Sequence, residues 1–195
     1  MARKASVSRT TKETKINISF DLDGSGRSDI TTGIPFFDHM LTAFCTHGLF
    51  DLEIEAVGDI EVDYHHTIED TGLVLGQTLA KALENKNPIV RFGDSSVPMD
   101  EALSKVTIDL SNRPYLVYNF PENLKVKGPF DIDLAREFFQ AFCVQGAFNL
   151  HLNCLYGSNE HHVLESIFKA LGRSLHTATR INQNIDKTLS TKGIL

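Results

Sequence analysis

Cysteine is scarce in this chain, and what there is forms no framework. Cys45, Cys143 and Cys154 are an odd number at unpatterned spacing. That excludes a disulfide scaffold or a zinc ribbon and predicts reduced thiols in a cytoplasmic protein. The stretch MARKASVSRTTKETK carries basic residues with no apolar segment behind them, so no secretory signal is expected. Apolar runs approaching the roughly 18 residues that span a bilayer are absent. A surplus of positive charge is also missing: a net charge of −6 leaves no nucleic-acid footprint. What is present is the composition of an ordinary soluble domain, 42% hydrophobic and 23% charged. At 195 residues the chain is long enough to bury a core without covalent staples.

Ile16, Ile18, Phe20 and Leu22 alternate with polar residues, and DGSG follows. This predicts a strand, a hairpin turn and a short strand. Pro35 opens a helix over about Phe36 to His47, which Gly48 ends. LFDLEIEAVG alternates and reads as a strand. DIEVDYHHTIEDTGLVLGQTLAKALENK reads as a strand end running into a long helix, with Leu73, Leu75, Leu79 and Leu83 at helical spacing. Asn85 to Pro88 stops that helix, and Asn87 to Asp100, with Arg91-Phe92-Gly93, reads as loop. EALSKVTIDLSNRPYLVYNF predicts two strands around Ser111-Asn112, and Pro121 to Pro129 a linker-like loop. Helix, strand, loop and long helix follow, and QNIDKTLSTKGIL reads as a mobile tail over 183–195.

The two halves repeat one order of elements, and their helices align residue by residue. HHTIEDTGLVLGQTL and HHVLESIFKALGRSL share the His-His pair, a Glu four residues on, and the later Leu-Gly and Leu. Ala43-Phe44-Cys45 falls on Ala141-Phe142-Cys143, and Gly48 on Gly146. The same alignment sets His39 opposite Glu137. The expected fold is therefore α+β in one domain over 1–195. It has two similar halves, about 9–90 and 101–182, each a mostly antiparallel sheet packed against helices.

On a helix, residues i and i+4 lie on one face, so His65 and Glu69 converge, as do His161 and Glu165. His66 and His162 turn about 100° away and can serve a second ion or a neighbouring chain. Neutral imidazole with carboxylate suits manganese, iron or zinc, and the lack of a cysteine ligand argues against a closed structural zinc site. With His39 and Glu137 there are eight candidate ligands, enough for two ions: His39, His65, His66, Glu69, Glu137, His161, His162 and Glu165. One HHxxE alone reads as well as solvated helix surface. Two at matched positions of a duplication read as twin half-sites.

The remaining histidines have plainer readings: His151 as a strand residue, His176 as helix surface, His47 as an answer to a helix dipole. Arg91, Arg113 and Lys192 lie in loops or turns, with Ser190 and Thr191 beside Lys192 as further donors. Each alone is a surface charge; together they suit a phosphate. Glu13 is by itself an unremarkable strand-start acid. A duplicated metal-storage or sensor protein would use the same pairs without the cations. A di-metal hydrolase would release inorganic phosphate.

PFFDHML, DYHHTIEDTG, RFG…PMDEAL, NRPYL, LYGSNEHHVLESIFKALG and STKG resemble the imidazoleglycerol-phosphate dehydratase family, over nearly the whole chain from about Ser8. The resemblance implies a ribosomal protein S5 domain 2-like fold and conversion of imidazole glycerol phosphate to imidazole acetol phosphate in histidine biosynthesis. It implies two Mn2+ per active site, at an interface in a homo-oligomer of 24 subunits. The same eight ligands are implied, with Glu137 standing where the family has a histidine. Glu13, His65, Glu69 and Glu165 match catalytic positions. Glu13, His39, His47, Arg91, Arg113, Ser190, Thr191 and Lys192 match positions that meet the phosphorylated substrate. The expected chemistry runs through an imidazolate that expels the neighbouring hydroxyl, with Glu13 or a metal-bound water as base.

Overall fold

Alternating burial builds the first sheet. In β2 (Thr14–Asp21) Thr14, Ile16, Ile18 and Phe20 face inward, and the residues between them face out. β4 (Asp51–Gly58) does the same with Leu52, Ile54 and Ala56, and pairs antiparallel with β2. The structure, a computed structural model, describes residues 3–84, 88–121, 124, 130–184 and 189. Expectations for the tail and for most of Pro121 to Pro129 lie outside the described residues.

The chain begins with a strand the sequence pattern did not announce. β1 (Lys4–Thr10) pairs antiparallel with β2 at the sheet edge. Only Ala5 in it is fully buried, so its alternation is faint. The DGSG turn makes no hairpin. β3 (Ser28–Thr31) lies parallel to β4, because the helix α1 (Pro35–Gly48) intervenes and carries the chain across. α1 ends at Gly48, as expected, with the left-handed position one residue further on. The left-handed residue is Leu49, with φ of 55°. Gly48 is glycine because a Cβ would strike the Phe50 ring and approach the Gly172 carbonyl. Asp59 to Tyr64 is turn, not strand, and leads into α2 (His65–Ala82).

The second half repeats the first. β5 (Phe92–Met99) overturns the loop expected there: it is the antiparallel edge partner of β6 (Ala102–Asp109). Its pattern is hidden because Gly93 lies against the α4 backbone at Ser174, where a side chain has no room, and Pro98 is tolerated at an edge. β7 (Tyr115–Asn119) does not pair with β6. It lies parallel to β8 (Asn149–Tyr156), with α3 (Ile132–Gln145) as the crossover. α4 (Glu160–Thr179) closes the order. Strand orders β1-β2-β4-β3 and β5-β6-β8-β7 are the same arrangement twice.

The halves exchange helix contacts. α2 packs on α3 of the second half, and α4 on α1 of the first. The repeated Leu-Gly explains how. A Cβ on Gly76 would meet the Phe142 carbonyl at 2.6 Å; on Gly172 it would run into the Phe44 carbonyl. Repeat mates Phe44 and Phe142 meet edge to face, ring centroids 6.3 Å apart, at the centre of a core rich in phenylalanine.

Candidate metal centre

α1 and α4 present the best-formed cluster. Asp38 reaches back to the Thr32 amide and hydroxyl (2.9 and 2.6 Å), fixing the start of α1 one residue before His39. Asn159 caps α4 by accepting from the His161 amide at 3.1 Å. Their packing brings His39 Nε2 to 3.2 Å and His161 Nε2 to 2.9 Å from Glu165 Oε2. These three ligand atoms lie within 4.8 Å of one another. Lys169 holds the other oxygen of Glu165 at 2.7 Å. Burial pushes the Glu165 carboxyl upward, but Lys169, His161 and His39 outweigh it and hold the group down at about 2. The carboxylate is thus charged and aimed.

The other half-site is looser. His65 Nε2 and Glu69 Oε2 stand 3.6 Å apart, both well exposed. Glu137 does occupy the position equivalent to His39: Leu49 and Ala147 share φ of 55°, and the Phe50 and Phe148 amides close α1 and α3 alike on Cys45 and Cys143. Among the described residues Glu137 makes no hydrogen bond or ion pair, and the cluster of three remains His39, His161 and Glu165.

The second histidine of each pair turns elsewhere. His66 Nδ1 lies 3.0 and 3.2 Å from the two Asp59 oxygens, and Asp59 is the main cause of its raised pKa. His162 Nδ1 lies 2.6 Å from Glu101 Oε2. Glu13 sits in the β1–β2 turn beside Asp59, whose amide donates to the Glu13 carbonyl at 3.2 Å. Its charge also raises the His66 pKa.

The candidate phosphate residues gather at the far end of α4. Arg91 takes a left-handed φ of 77°, held by its amide on the Ala178 carbonyl and its carbonyl on the Leu110 amide (2.8 and 3.1 Å). Its guanidinium forks onto Asp109 (2.7 and 3.1 Å), stacks on Phe92, and donates to the Leu189 carbonyl. Arg113 stands 3.8 Å from the same Asp109 carboxylate. Ser190, Thr191 and Lys192 lie outside the described residues. From His161 to Ala178 along α4 is roughly 25 Å at 1.5 Å per residue. His47 is two turns from His39 on α1, its pKa lowered by burial and by Lys169 and Arg173. His151 is an exposed strand residue and His176 sits near the Phe50 ring. Asp59, Glu101, Asp109 and Lys169 were not foreseen as parts of the site. Lys169 alone carried a local signal, being four residues after Glu165 on α4.

Fold and site define a duplicated α+β protein whose helices display a His–Glu cluster of the kind that binds divalent cations. Comparison with known proteins narrows this class. The family model for imidazoleglycerol-phosphate dehydratase matches residues 32–175. A relative of that name from Trichlorobacter lovleyi is 55% identical over 100% of both chains, and one from Acetivibrio thermocellus 52% over 100% of both. The crystal structure of the dehydratase from Staphylococcus aureus is 39% identical, covers 92% of this chain and 99% of its own, and superposes with a TM-score of 0.82. That from Pyrococcus furiosus is 35% identical, covers 97% and 100%, and gives 0.83. The chain belongs to the imidazoleglycerol-phosphate dehydratase family.

Proposed function

We propose that the chain dehydrates imidazole glycerol phosphate to imidazole acetol phosphate in histidine biosynthesis, in the cytoplasm, with two Mn2+ at each site. Family membership supports the reaction. The observation that supports the metal is the convergence of His39, His161 and Glu165 within 4.8 Å. The donor set fits: two imidazoles and a charged carboxylate, with all three cysteines buried away from it. His65, His66, Glu69, Glu137 and His162 complete the proposed ligands.

The proton to be lost, on the second carbon from the ring, has no flanking carbonyl to acidify it. Bound metal supplies positive charge that favours the imidazolate form of the substrate ring. The electron-rich ring then expels the hydroxyl from its adjacent carbon. Glu13 takes the proton from the next carbon, the ring regains its aromaticity, and the resulting enol becomes the ketone. Water is the net loss. Arg91 and Arg113, with Ser190, Thr191 and Lys192, hold the phosphate; His47, kept neutral, borders the substrate.

About 25 Å of α4 separates His161 from the Arg91 anchor, far more than a three-carbon phosphate ester of imidazole can bridge. Arg91 and the His39–His161–Glu165 cluster of one chain therefore do not meet one substrate. This supports sites completed between subunits of a homo-oligomer, with 24 subunits as the family resemblance implies.

The test is an assay of the chelator-stripped chain with and without Mn2+, following ketone and inorganic phosphate together. Metal-dependent ketone without phosphate release is expected. Phosphate release points instead to a hydrolase; metal uptake without turnover points to storage or sensing. Glu13→Gln is expected to lower kcat by about 10²- to 10⁴-fold, the usual scale for a lost general base. Near-normal turnover removes Glu13 from that role.

A further inference from the structure

We infer that Asp59 and Glu101 are positioning residues: each fixes the proton on Nδ1 of a second histidine, His66 or His162, and so presents Nε2 to a metal ion. The inference rests on the metal reading above. Glu101 Oε2 lies 2.6 Å from His162 Nδ1, and Asp59 Oδ2 lies 3.0 Å from His66 Nδ1. A carboxylate accepts only, so in the neutral ring that a metal requires the facing nitrogen carries the hydrogen and the other keeps its lone pair; His162 Nε2 lies 3.4 Å from the Asn159 side-chain amide, a donor that suits that lone pair, and 3.7 Å from an Asp100 oxygen. Such a partner orients a metal-binding imidazole and raises its basicity. Glu101 is itself anchored, its other oxygen accepting from the Asn159 and Ser158 amides at 2.7 and 3.1 Å.

The two carboxylates are not repeat mates. Asp59 follows β4; the residue following β8 is Gly157, which has no side chain to offer. Glu101 precedes β6; the residue preceding β2 is Glu13. A contact inherited passively through duplication would come from the same place twice. Here the same contact, carboxylate on Nδ1 of the second histidine, is supplied from two different loops. Because Asp59 serves His66, the Glu13 side chain is left without a hydrogen bond among the described residues. The half-site holding the proposed base has thus relieved that base of the work its mate does in the other half.

Mn2+ titration of the chelator-stripped full chain, read by the electron paramagnetic resonance of free Mn2+, tests this without reference to turnover. Glu101→Gln keeps an oxygen for the two backbone amides but turns an amide donor toward Nδ1, driving the proton to Nε2. A merely structural Glu101 would tolerate that change. Asp59→Ala removes the acceptor from a half-buried turn position and leaves the Ser158 turn untouched. Each variant is expected to weaken Mn2+ binding by about 10- to 100-fold, measured below the thermal midpoint of its own metal-free chain so that unfolding does not enter the titration. Affinity within twofold of the unaltered chain in either variant overturns the role for that residue. If the unaltered chain takes up no Mn2+, the metal reading itself fails and this inference with it.

Discussion

Glu165 divides its oxygens between different partners, Lys169 on one and the His39 and His161 rings on the other. This decides its titration. Burial alone would raise the carboxyl, yet hydrogen bonds from Lys169, His161 and His39, with the Lys169 charge, bring it to about 2 from an ordinary 4.5. A folded-state value below the unfolded one means that the unfolded chain binds the proton more readily. The stabilisation is therefore complete above about pH 4.5 and is lost as pH falls toward 2. Glu101, brought to about 2 by His162 and the Asn159 amide, acts in the same window. Thermal midpoints of the metal-free chain are expected to fall steadily from pH 4.5 to 2, and less steeply in Glu165→Gln. A flat profile across that window contradicts the pairing. At this scale the sequence was legible where chemistry is local: His161 and Glu165 converge because helical spacing requires it. Asp59 and Glu101 were not, since each reaches its histidine from outside the helix, Glu101 from 61 residues away.

Among the elements, α2 and α4 show how a repeated pattern can be read correctly and still conceal its cause. The shared Leu-Gly marked the duplication, but nothing local says that the glycine faces a helix of the other half. In an isolated helix Gly→Ala gains about 1 kcal/mol. Here a Cβ at Gly76 or Gly172 would press into the backbone of α3 or α1. Overpacking of a close crossing costs about 1–3 kcal/mol. Gly76→Ala and Gly172→Ala are therefore each expected to lower unfolding free energy in a urea titration; a gain in stability from either would contradict the crossing. The strands were less legible for a related reason. β1 and β5 are edges with few buried side chains, so alternation, the signal that revealed β2 and β4, is weak in them. β3 read as half of a hairpin because sequence neighbours usually pair, whereas β3 and β7 each cross over a helix to lie parallel with a later strand.

For the whole molecule, the decisive quantity is the roughly 25 Å of α4 between His161 and the Arg91 anchor at Ala178. It could not be read before the fold was known, because the sequence separation of these residues is silent about their distance. It keeps the Arg91 anchor away from the His39–His161–Glu165 cluster of the same chain, which is the observation behind the proposed shared site. Light scattering is expected to find the active protein as a large homo-oligomer, and a fully active monomer contradicts the shared site. The half-built state of the His65–Glu69–Glu137 side, beside the converged His39–His161–Glu165 side, fits the same picture. The most direct measurement is turnover of imidazole glycerol phosphate against Mn2+ bound per chain, starting from the chelator-stripped protein. The account predicts no ketone at zero metal and a rate that rises to saturation at two Mn2+ per chain. Full turnover by the metal-free chain would contradict it.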